Sequence, residues 1–139
     1  MEILLVEDQP SAVRLVREAL KENGKGHHLS VAKDGEEAMA FLRRQGEYTG
    51  ALRPDLILLD LSLPRKDGRE VLSEIKSDDD LKRIPVVILT ASDMEKDIIH
   101  AYNSHANCYV AKPIHLEGFI GIIKSIEKFW LNTITLPPE

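Results

Sequence analysis

Carboxylate side chains follow two apolar runs of the sequence, at the point where each run ends. Glu7 and Asp8 come directly after the run at residues 2–6, and Asp60 follows the run at residues 56–59. Short, continuous apolar runs are typical of strands that are covered on both faces in a parallel sheet. A carboxylate at the end of such a strand needs a partner to stay charged. Three carboxylates brought together would repel one another, which predicts a hard cation such as Mg²⁺ bound by their oxygens.

Two further polar residues follow apolar runs later in the chain. Thr90 comes after residues 86–89, and Lys112 comes after residues 107–111. Each residue alone indicates little, because a threonine after a strand is usually structural and a Lys-Pro pair is usually a turn. The full set, with each member at the end of a strand, predicts a site for phosphoryl transfer. A hydroxyl donor and an ammonium group would neutralise a phosphoryl group that is transferred to the Asp60 carboxylate.

Strand and helix patterns alternate along the chain and would position these residues. The predicted strands are residues 2–6, 28–32, 55–60, 86–89 and 107–111, and the predicted helices run from Pro10 to before Gly24 and over residues 36–44, 69–76, 93–104 and 116–131. Such alternation predicts a parallel sheet with right-handed crossovers and helices on both faces. These sheets bind ligands at the carboxyl ends of their strands, near the point where strand order reverses. The polar residues are therefore expected at one edge of one sheet.

Composition restricts the classes of function that need to be considered. A chain of 139 residues favours one domain with a single core. The net charge of −5, without a basic block, argues against a nucleic-acid partner. The single cysteine, Cys108, excludes an internal disulfide and fits a reducing cytoplasm. No apolar run reaches the roughly 20 residues that cross a bilayer, so no membrane association is expected, and the first residues do not have the pattern of a signal peptide.

Four segments form a joint pattern: Glu7–Asp8, LLDLSLPRKDG around Asp60, Thr90–Ala91 and Lys112–Pro113. Over nearly the whole chain, this pattern resembles the receiver domain of two-component response regulators. The resemblance implies an α/β fold, a flavodoxin-like (βα)₅ doubly wound parallel sheet with strand order 2-1-3-4-5. It also implies that Asp60 accepts a phosphoryl group from a sensor histidine kinase in a phosphorelay. Mg²⁺, for which Mn²⁺ can substitute, would be held by Glu7, Asp8 and Asp60.

The same resemblance implies roles for residues near Asp60 in the fold. The backbone carbonyl of Ser62 would be a further metal ligand. The hydroxyl group of Thr90 would donate to one phosphoryl oxygen, and Lys112 would pair with another. The Lys112–Pro113 peptide bond is expected to be cis. Tyr109 matches the aromatic switch position, which rotates inward when Thr90 moves.

A narrower resemblance concerns the loops and the end of the chain. DLSLPRKDGREVL, residues 48–52 and the ending KFWLNTITLP are similar to stand-alone response regulators that partner cyanobacterial and other bacterial phytochromes. This similarity implies a phytochrome-type kinase partner, a receiver domain at residues 1–131, a tail at 132–139 and no output domain. The relatives usually have Asn in place of Ser62, but a backbone metal contact would survive this change, while Ser62 and Ser92 would influence the phosphoryl lifetime. Such a domain assists its own phosphorylation and dephosphorylation but turns over no metabolite, so we do not expect an enzyme.

The predicted last helix is apolar over an unusually wide part of its circumference. Its main stripe consists of Leu116, Phe119, Ile120, Ile123, Ile126 and Trp130. Ile122 and Phe129 lie off this stripe and, being seven residues apart, line up with each other. Extra apolar width indicates a partner surface, so we expect a homodimer through the last helix and its neighbours. The alternative is ordinary packing of Phe129 and Trp130 under the tail.

Two other classes of function fit parts of the pattern. A small hydrolase with an aspartyl-phosphate intermediate usually has a second Asp two residues after the nucleophile, where this chain has Ser62. A phosphorylation-independent interaction module would not need the complete set of acidic, threonine and lysine residues. The pair His27–His28 could indicate a metal site, but no matching ligand spacing follows it. We expect this pair to form a solvated start of the second strand.

Overall fold

The computed structural model describes residues 1–21, 26–113 and 115–138. Over these residues the chain forms a five-stranded sheet with helices between successive strands. The strands are β1 (Glu2–Val6), β2 (His28–Ala32), β3 (Leu56–Leu59), β4 (Val86–Thr90) and β5 (Cys108–Ala111), and the helices are α1 (Pro10–Lys21), α2 (Gly35–Leu42), α3 (Gly68–Ser77), α4 (Glu95–Asn103) and α5 (Leu116–Lys128). The predicted alternation of strands and helices is confirmed.

The sheet is parallel and has the strand order β2-β1-β3-β4-β5. Strand β2 lies on one side of β1, and β3, β4 and β5 follow on the other side. The strand order therefore reverses between β1 and β3, as the flavodoxin-like prediction requires. The register pairs Val6 with both Ala32 and Leu59, and Leu59 with Ile88. Val6, Ala32 and Leu59 are the last residues of their strands, whereas β4 continues two residues past Ile88 to Thr90, which pairs with Ala111 at the end of β5. The carboxyl ends of the strands therefore lie within two residues of one another. Residues that directly follow them must lie along the same edge of the sheet.

Two clusters of buried side chains hold the helices to the two faces of the sheet. The first contains Ala38, Met39, Val71, Leu72, Ile75 and Ala101 from α2, α3 and α4. The second contains Val16, Ala19, Leu20, Phe119, Ile123 and Ile126 from α1 and α5. Alternate residues of β3 belong to the two clusters, with Ile57 and Leu59 in the first and Leu56 and Leu58 in the second. The central strand is thus covered on both faces, which explains its uninterrupted apolar sequence.

Several helix ends differ from the predicted boundaries. The end of the first helix, predicted before Gly24, lies outside the described residues. The predicted helix at residues 36–44 is shorter, and a 3₁₀ turn at Gly46–Tyr48 follows it. The last helix ends at Lys128 and continues as a π-helical turn at Phe129–Thr133. Helix ends are the least predictable boundaries, because the last turn readily changes its hydrogen-bonding pattern.

The expectation for His27 is wrong. The side chain of His27 is only 5% exposed, and its Nε2 atom lies 3.2 Å from Oε2 of Glu127, which is 4% exposed. His28 is exposed and contacts Glu2 at 2.8 Å, as expected for the start of an outer strand. Glu127 belongs to α5, so the fold supplies a partner for His27 that local sequence spacing does not reveal. Among the described residues, no helix has the length and apolar character needed to cross a membrane.

Candidate functional site

The carboxylates of Glu7, Asp8 and Asp60 meet at the carboxyl edge of the sheet. One oxygen from each of the three side chains lies within 4.8 Å of the others. Backbone hydrogen bonds place them there: Glu7 N–H donates to the carbonyl of Ala32 at 2.9 Å, and Asp60 N–H donates to that of Val6 at 3.1 Å. Both bonds continue the ladders of the sheet past the strand ends. The convergence that was predicted from the ends of apolar runs is confirmed.

Glu7 is buried in an environment that disfavours its charge. Its Oε2 accepts hydrogen bonds from the backbone N–H groups of Asp8 at 3.1 Å and Gln9 at 3.3 Å. Lys112 Nζ donates to Oε1 of the same carboxylate. Burial nevertheless raises the pKa of Glu7, and repulsion from Asp60 adds to the rise, while the contacts with Lys112 and Gln9 lower it in part. The protein alone therefore does not fully compensate this carboxylate.

Asp60 is 7% exposed, and both of its oxygens have hydrogen-bond partners. Oδ1 accepts from the hydroxyl group of Thr90 at 2.8 Å and from the backbone N–H of Ser62 at 3.3 Å. Oδ2 lies 3.4 Å from Lys112 Nζ. Lys112 is carried to this position by a backbone hydrogen bond to the carbonyl of Thr90. The structure thus brings Thr90 and Lys112 into direct contact with Asp60, and Ser62 beside it.

The donor set fits a hard divalent cation. Carboxylate oxygens are the ligands that such ions prefer, and the described side chains that face them offer the single ammonium group of Lys112. Burial raises the pKa of Glu7 and repulsion from Asp60 adds to the rise, so a cation beside this carboxylate would stabilise its charged form. Glu7, Asp8 and Asp60 are therefore the residues that could hold a metal ion. The side chain of Ser62 is exposed, and its predicted contribution through the backbone carbonyl stays a prediction.

Two glycines, Gly68 and Gly35, fix the loop that follows Asp60. A Cβ atom on Gly68 would overlap the carbonyl oxygen of Asp60, and one on Gly35 would overlap that of Lys66. The N-termini of α3 and α2 can therefore approach this loop only without a side chain. Each glycine follows an aspartate that caps its helix, Asp67 for α3 and Asp34 for α2. The repeated Asp-Gly pair was the signal that could have identified both contacts.

The predicted cis peptide bond at Lys112–Pro113 is not found. No peptide bond between described residues is cis, so Pro113 follows Lys112 in the trans form. The trans isomer is intrinsically favoured before proline by about 0.5–1 kcal/mol, and only specific tertiary contacts reverse this preference. Here Lys112 N–H bonds to the carbonyl of Thr90, and Lys112 Nζ reaches Glu7 and Asp60 with the trans bond in place. The trans bond therefore corrects the sequence-based prediction of a cis bond.

Tyr109 lies against the core beneath the loop between β4 and α4. Its hydroxyl group donates to the backbone carbonyl of Ser92 at 2.8 Å, and its ring packs against the cluster on the α2–α4 face. Burial raises the pKa of this phenol. Tyr109 therefore contacts the chain two residues after Thr90, which is the geometry that a switch role would need. The switch role itself stays a prediction.

The two residues predicted to form a dimer surface differ in environment. Ile122 is half-buried and packs against the cluster formed by α1 and α5. Phe129 is 51% exposed, and its ring makes an edge-to-face contact with Trp130 at a centroid distance of 5.5 Å. Leu116, assigned to the buried stripe, is instead 55% exposed. Exposed apolar area is thus present at both ends of α5.

This sheet order and this edge of carboxylates, hydroxyl and ammonium groups define a class of signalling domain. The family model of the response regulator receiver domain matches residues 3–124, and the chain belongs to this family.

Its relatives narrow the class further. The chain is 56% identical over 135 residues to the response regulator Rcp1 of Synechocystis sp. (strain ATCC 27184 / PCC 6803 / Kazusa), covering 97% of this chain and 92% of Rcp1. The structure is similar to the Mn²⁺-bound form of Rcp1, with a TM-score of 0.95, 55% identity and coverage of 99% of both chains. It is also similar to the phosphorylated cyanobacterial phytochrome response regulator RcpA, with a TM-score of 0.96, 56% identity and coverage of 99% of this chain and 98% of RcpA. The chain is a response regulator homologous to these proteins.

Proposed function

We propose that Asp60 is the phosphoacceptor of this response regulator. The observation that carries the proposal is the environment of its carboxylate: one oxygen is hydrogen-bonded to Thr90, and the other lies 3.4 Å from Lys112 Nζ. Glu7 and Asp8 adjoin the same carboxylate as potential metal ligands. A phosphoryl group on Asp60 would therefore form among a hydroxyl donor, an ammonium group and a cation site. Phosphoryl transfer depends mainly on such positioning and charge neutralisation.

The reaction is a displacement at phosphorus. An oxygen of the Asp60 carboxylate attacks the phosphorus atom of a phosphohistidine, the new P–O bond forms, and the P–N bond to the imidazole breaks. Thr90 donates its hydroxyl hydrogen to one phosphoryl oxygen, and Lys112 neutralises another. Mg²⁺, or Mn²⁺ in its place, held by the three carboxylates and the Ser62 carbonyl, would supply the charge that the lysine cannot. The domain assists this reaction on itself and has no separate substrate to release, so it is a signalling phosphoacceptor, not an enzyme.

The phosphodonor that best fits the chain is a sensor histidine kinase of phytochrome type in the cytoplasm. This assignment rests on the similarity to Rcp1 and RcpA over nearly the full length of all three chains. Phosphorylation would bias the surface formed by α4, β5 and α5 between two states. Tyr109, which already bonds to the loop after Thr90, would rotate with that change. The receiver domain would extend over residues 1–131, with residues 132–139 as its tail.

The acceptor is tested by phosphorylating the full chain with acetyl phosphate and Mg²⁺. The wild type should gain acid-labile phosphate, Asp60→Asn should gain none, and omission of the metal should abolish labelling of the wild type. Asp79→Asn is the matched control, because it removes an exposed carboxylate that pairs with Lys82 on the surface. If wild type stays unlabelled, or Asp60→Asn is labelled as strongly as wild type, the proposal is wrong.

We also propose a homodimer through α5 and its neighbours, with Ile122 and Phe129 in the contact. The exposed ring of Phe129 supports this proposal, since apolar area at the end of a helix favours burial against a partner. Sedimentation at micromolar concentration should show a dimer for the wild type and a shift towards monomer for Phe129→Glu. Asp79→Asn changes an exposed charge outside α5 and serves as the control. A monomer for the phosphorylated and unphosphorylated wild type would contradict the dimer.

A further inference from the structure

A chain of hydrogen bonds joins Ser92, Asp97 and Arg69 beside the candidate site. Ser92 Oγ donates to Oδ2 of Asp97 at 2.6 Å. The other oxygen of Asp97 accepts from Arg69, from Nε at 3.1 Å and from Nη2 at 2.8 Å. Arg69 belongs to the start of α3 and Asp97 to the first turns of α4, so the ion pair connects two helices. Neither residue was identified by the sequence analysis, because each occupies a polar helix position.

The ion pair is well fixed at both ends. The side chain of Asp97 is 7% exposed, and three hydrogen bonds satisfy its two oxygens. The hydrogen bond from Ser92 lowers the pKa of Asp97, and the bond from Arg69 lowers it further, so the carboxylate stays ionised at neutral pH. Arg69 is held in addition by Asp67, with Nη1 at 3.0 and 3.2 Å from its two oxygens. A planar guanidinium that is held by two carboxylates keeps little orientational freedom.

The network connects the loops on the two sides of Asp60. Ser92 comes two residues after Thr90, whose hydroxyl group bonds to Asp60, and the Ser92 carbonyl accepts the hydroxyl hydrogen of Tyr109. On the other side, Asp67 caps α3, and Gly68 at the start of α3 contacts the Asp60 backbone. The loop after β4 is thus tied, through Asp97 and Arg69, to the helix that abuts the acceptor. Ser92 is held by its side chain and by its backbone at once.

We propose that Asp97, oriented by Arg69, is a positioning residue that sets the lifetime of the phosphoryl group on Asp60. The Ser92 hydroxyl donates its hydrogen to Asp97, and this contact competes with any contact between the hydroxyl group and a water molecule near Asp60. Hydrolysis requires a water oxygen to attack phosphorus while the P–O bond to Asp60 breaks, with the carboxylate regained and a proton passed to solvent. A fixed Ser92 cannot turn to orient that water. This inference rests on the proposed phosphoacceptor role of Asp60.

The test measures phosphoryl half-life after the donor has been removed from labelled full-length protein at constant Mg²⁺. Asp97→Ala should shorten the half-life by about threefold to tenfold, since tenfold corresponds to only about 1.4 kcal/mol in the barrier. Asp97→Asn keeps an oxygen that accepts from Ser92 and should retain most of the lifetime. Arg69→Ala should lie between the two, and Arg69→Lys should restore part of the loss. Asp79→Ala, which removes a surface carboxylate that pairs with Lys82, is the control and should not change the half-life.

A double-mutant cycle separates positioning from general loosening of the fold. If Asp97 acts through Ser92, Asp97→Ala should change the half-life much less in a Ser92→Ala background than in the wild type. Thermal midpoints of all variants are measured in parallel. Arg69→Gln replaces Arg69→Ala if the latter does not fold, and Asp97→Ser replaces Asp97→Ala in the same case. Half-lives within twofold of wild type, additive effects in the cycle, or half-lives that follow the thermal midpoint alone would overturn the inference. If wild type is not labelled, the phosphoacceptor proposal itself fails; if it is labelled with unchanged half-lives, only this inference fails.

Discussion

Glu7 and Asp97 are two carboxylates buried to a similar degree, and the fold shifts their pKa values in opposite directions. Their side chains are 3% and 7% exposed. Burial and Asp60 raise the pKa of Glu7, whereas hydrogen bonds from Ser92 and Arg69 lower that of Asp97. The difference comes from their partners, because desolvation opposes the charge of both groups.

The cationic partners of Asp97 and Glu7 differ in how much of their positive charge each carboxylate receives. Arg69 directs two N–H groups at Asp97, and Ser92 satisfies the second oxygen. Lys112, in contrast, is shared between Glu7 and Asp60. A carboxylate satisfied from within the fold has a structural or positioning role. A buried carboxylate that the fold leaves under-compensated indicates a charge that comes from outside the protein.

The largest expected effect comes from adding Mg²⁺. At 100 times its dissociation constant, an ion that binds only the folded state stabilises it by about 2.7 kcal/mol. We expect this gain in free energy of unfolding for the wild type and for Asp97→Asn, but not for Asp8→Asn, which loses a potential ligand. Urea denaturation with and without Mg²⁺ measures it. If Mg²⁺ stabilised Asp8→Asn as much as wild type, the carboxylates around Glu7 would not be a metal site, and this difference between Glu7 and Asp97 would disappear.

In the absence of divalent ions, neutralising the two carboxylates should have opposite effects. Glu7→Gln removes a desolvated charge that is repelled by Asp60, and it should raise the free energy of unfolding. Asp97→Asn removes one of the two negative charges that pair with Arg69 and should lower that free energy. Both are measured by urea denaturation at pH 7 in a chelating buffer. Destabilisation by Glu7→Gln would show that the Lys112 contact outweighs desolvation.

The advantage of Glu7→Gln should depend on pH. The folded-state pKa of Glu7 lies above its ordinary value of 4.5, so protonation is favoured by folding. Its contribution to stability is present in full below pH 4.5 and is lost as the pH rises through the raised folded-state pKa. The difference in stability between Glu7→Gln and wild type should therefore grow from pH 4.5 towards neutrality in chelating buffer. A difference that does not change with pH would contradict the direction of the shift.

The smallest effect should appear in acid and should have the opposite sign. The folded-state pKa of Asp97 lies below its ordinary value of 3.8, so its ion pair contributes fully above that pH. This contribution is lost as the pH falls through the lowered folded-state pKa. Acid unfolding should consequently be less steep for Asp97→Asn than for wild type below pH 3.8. Parallel acid titrations of the two proteins, followed by circular dichroism, measure this difference.

The strands and their terminal residues could be predicted from the sequence, whereas the contacts between helices could not. Glu7, Asp60 and Thr90 each follow an apolar run directly, and parallel strands finish at a common edge. Residues that follow these strands are therefore close in space even though they are far apart in the sequence. Arg69 and Asp97 lie on separate helices, 28 positions apart, and the rotation of each helix decides whether their side chains meet. A charged residue on a helix is usually solvated, so its type alone predicts no partner.

Packing and isomer state were also beyond the reach of sequence patterns. His27 is buried because α5 places Glu127 beside it, and neither residue has a local signal for that contact. The trans bond before Pro113 depends on a small free-energy difference that neighbouring structure decides. Gly35 and Gly68 occur in turn-like pairs, but the backbone that each contacts belongs to a distant segment or an earlier strand end. In each case the missing information was three-dimensional proximity.

The sharing of Lys112 between Glu7 and Asp60 also affects how readily an anionic phosphodonor could approach the site. With Asp8 included, the pocket is net negative at neutral pH, and a phosphodonor is itself an anion. Like charges 4 Å apart repel by about 4 kcal/mol at an effective dielectric constant of 20, so a donor that arrives first meets an electrostatic barrier. A cation held by the three carboxylates would lower this barrier, so we expect binding of an anionic phosphodonor to depend on bound Mg²⁺.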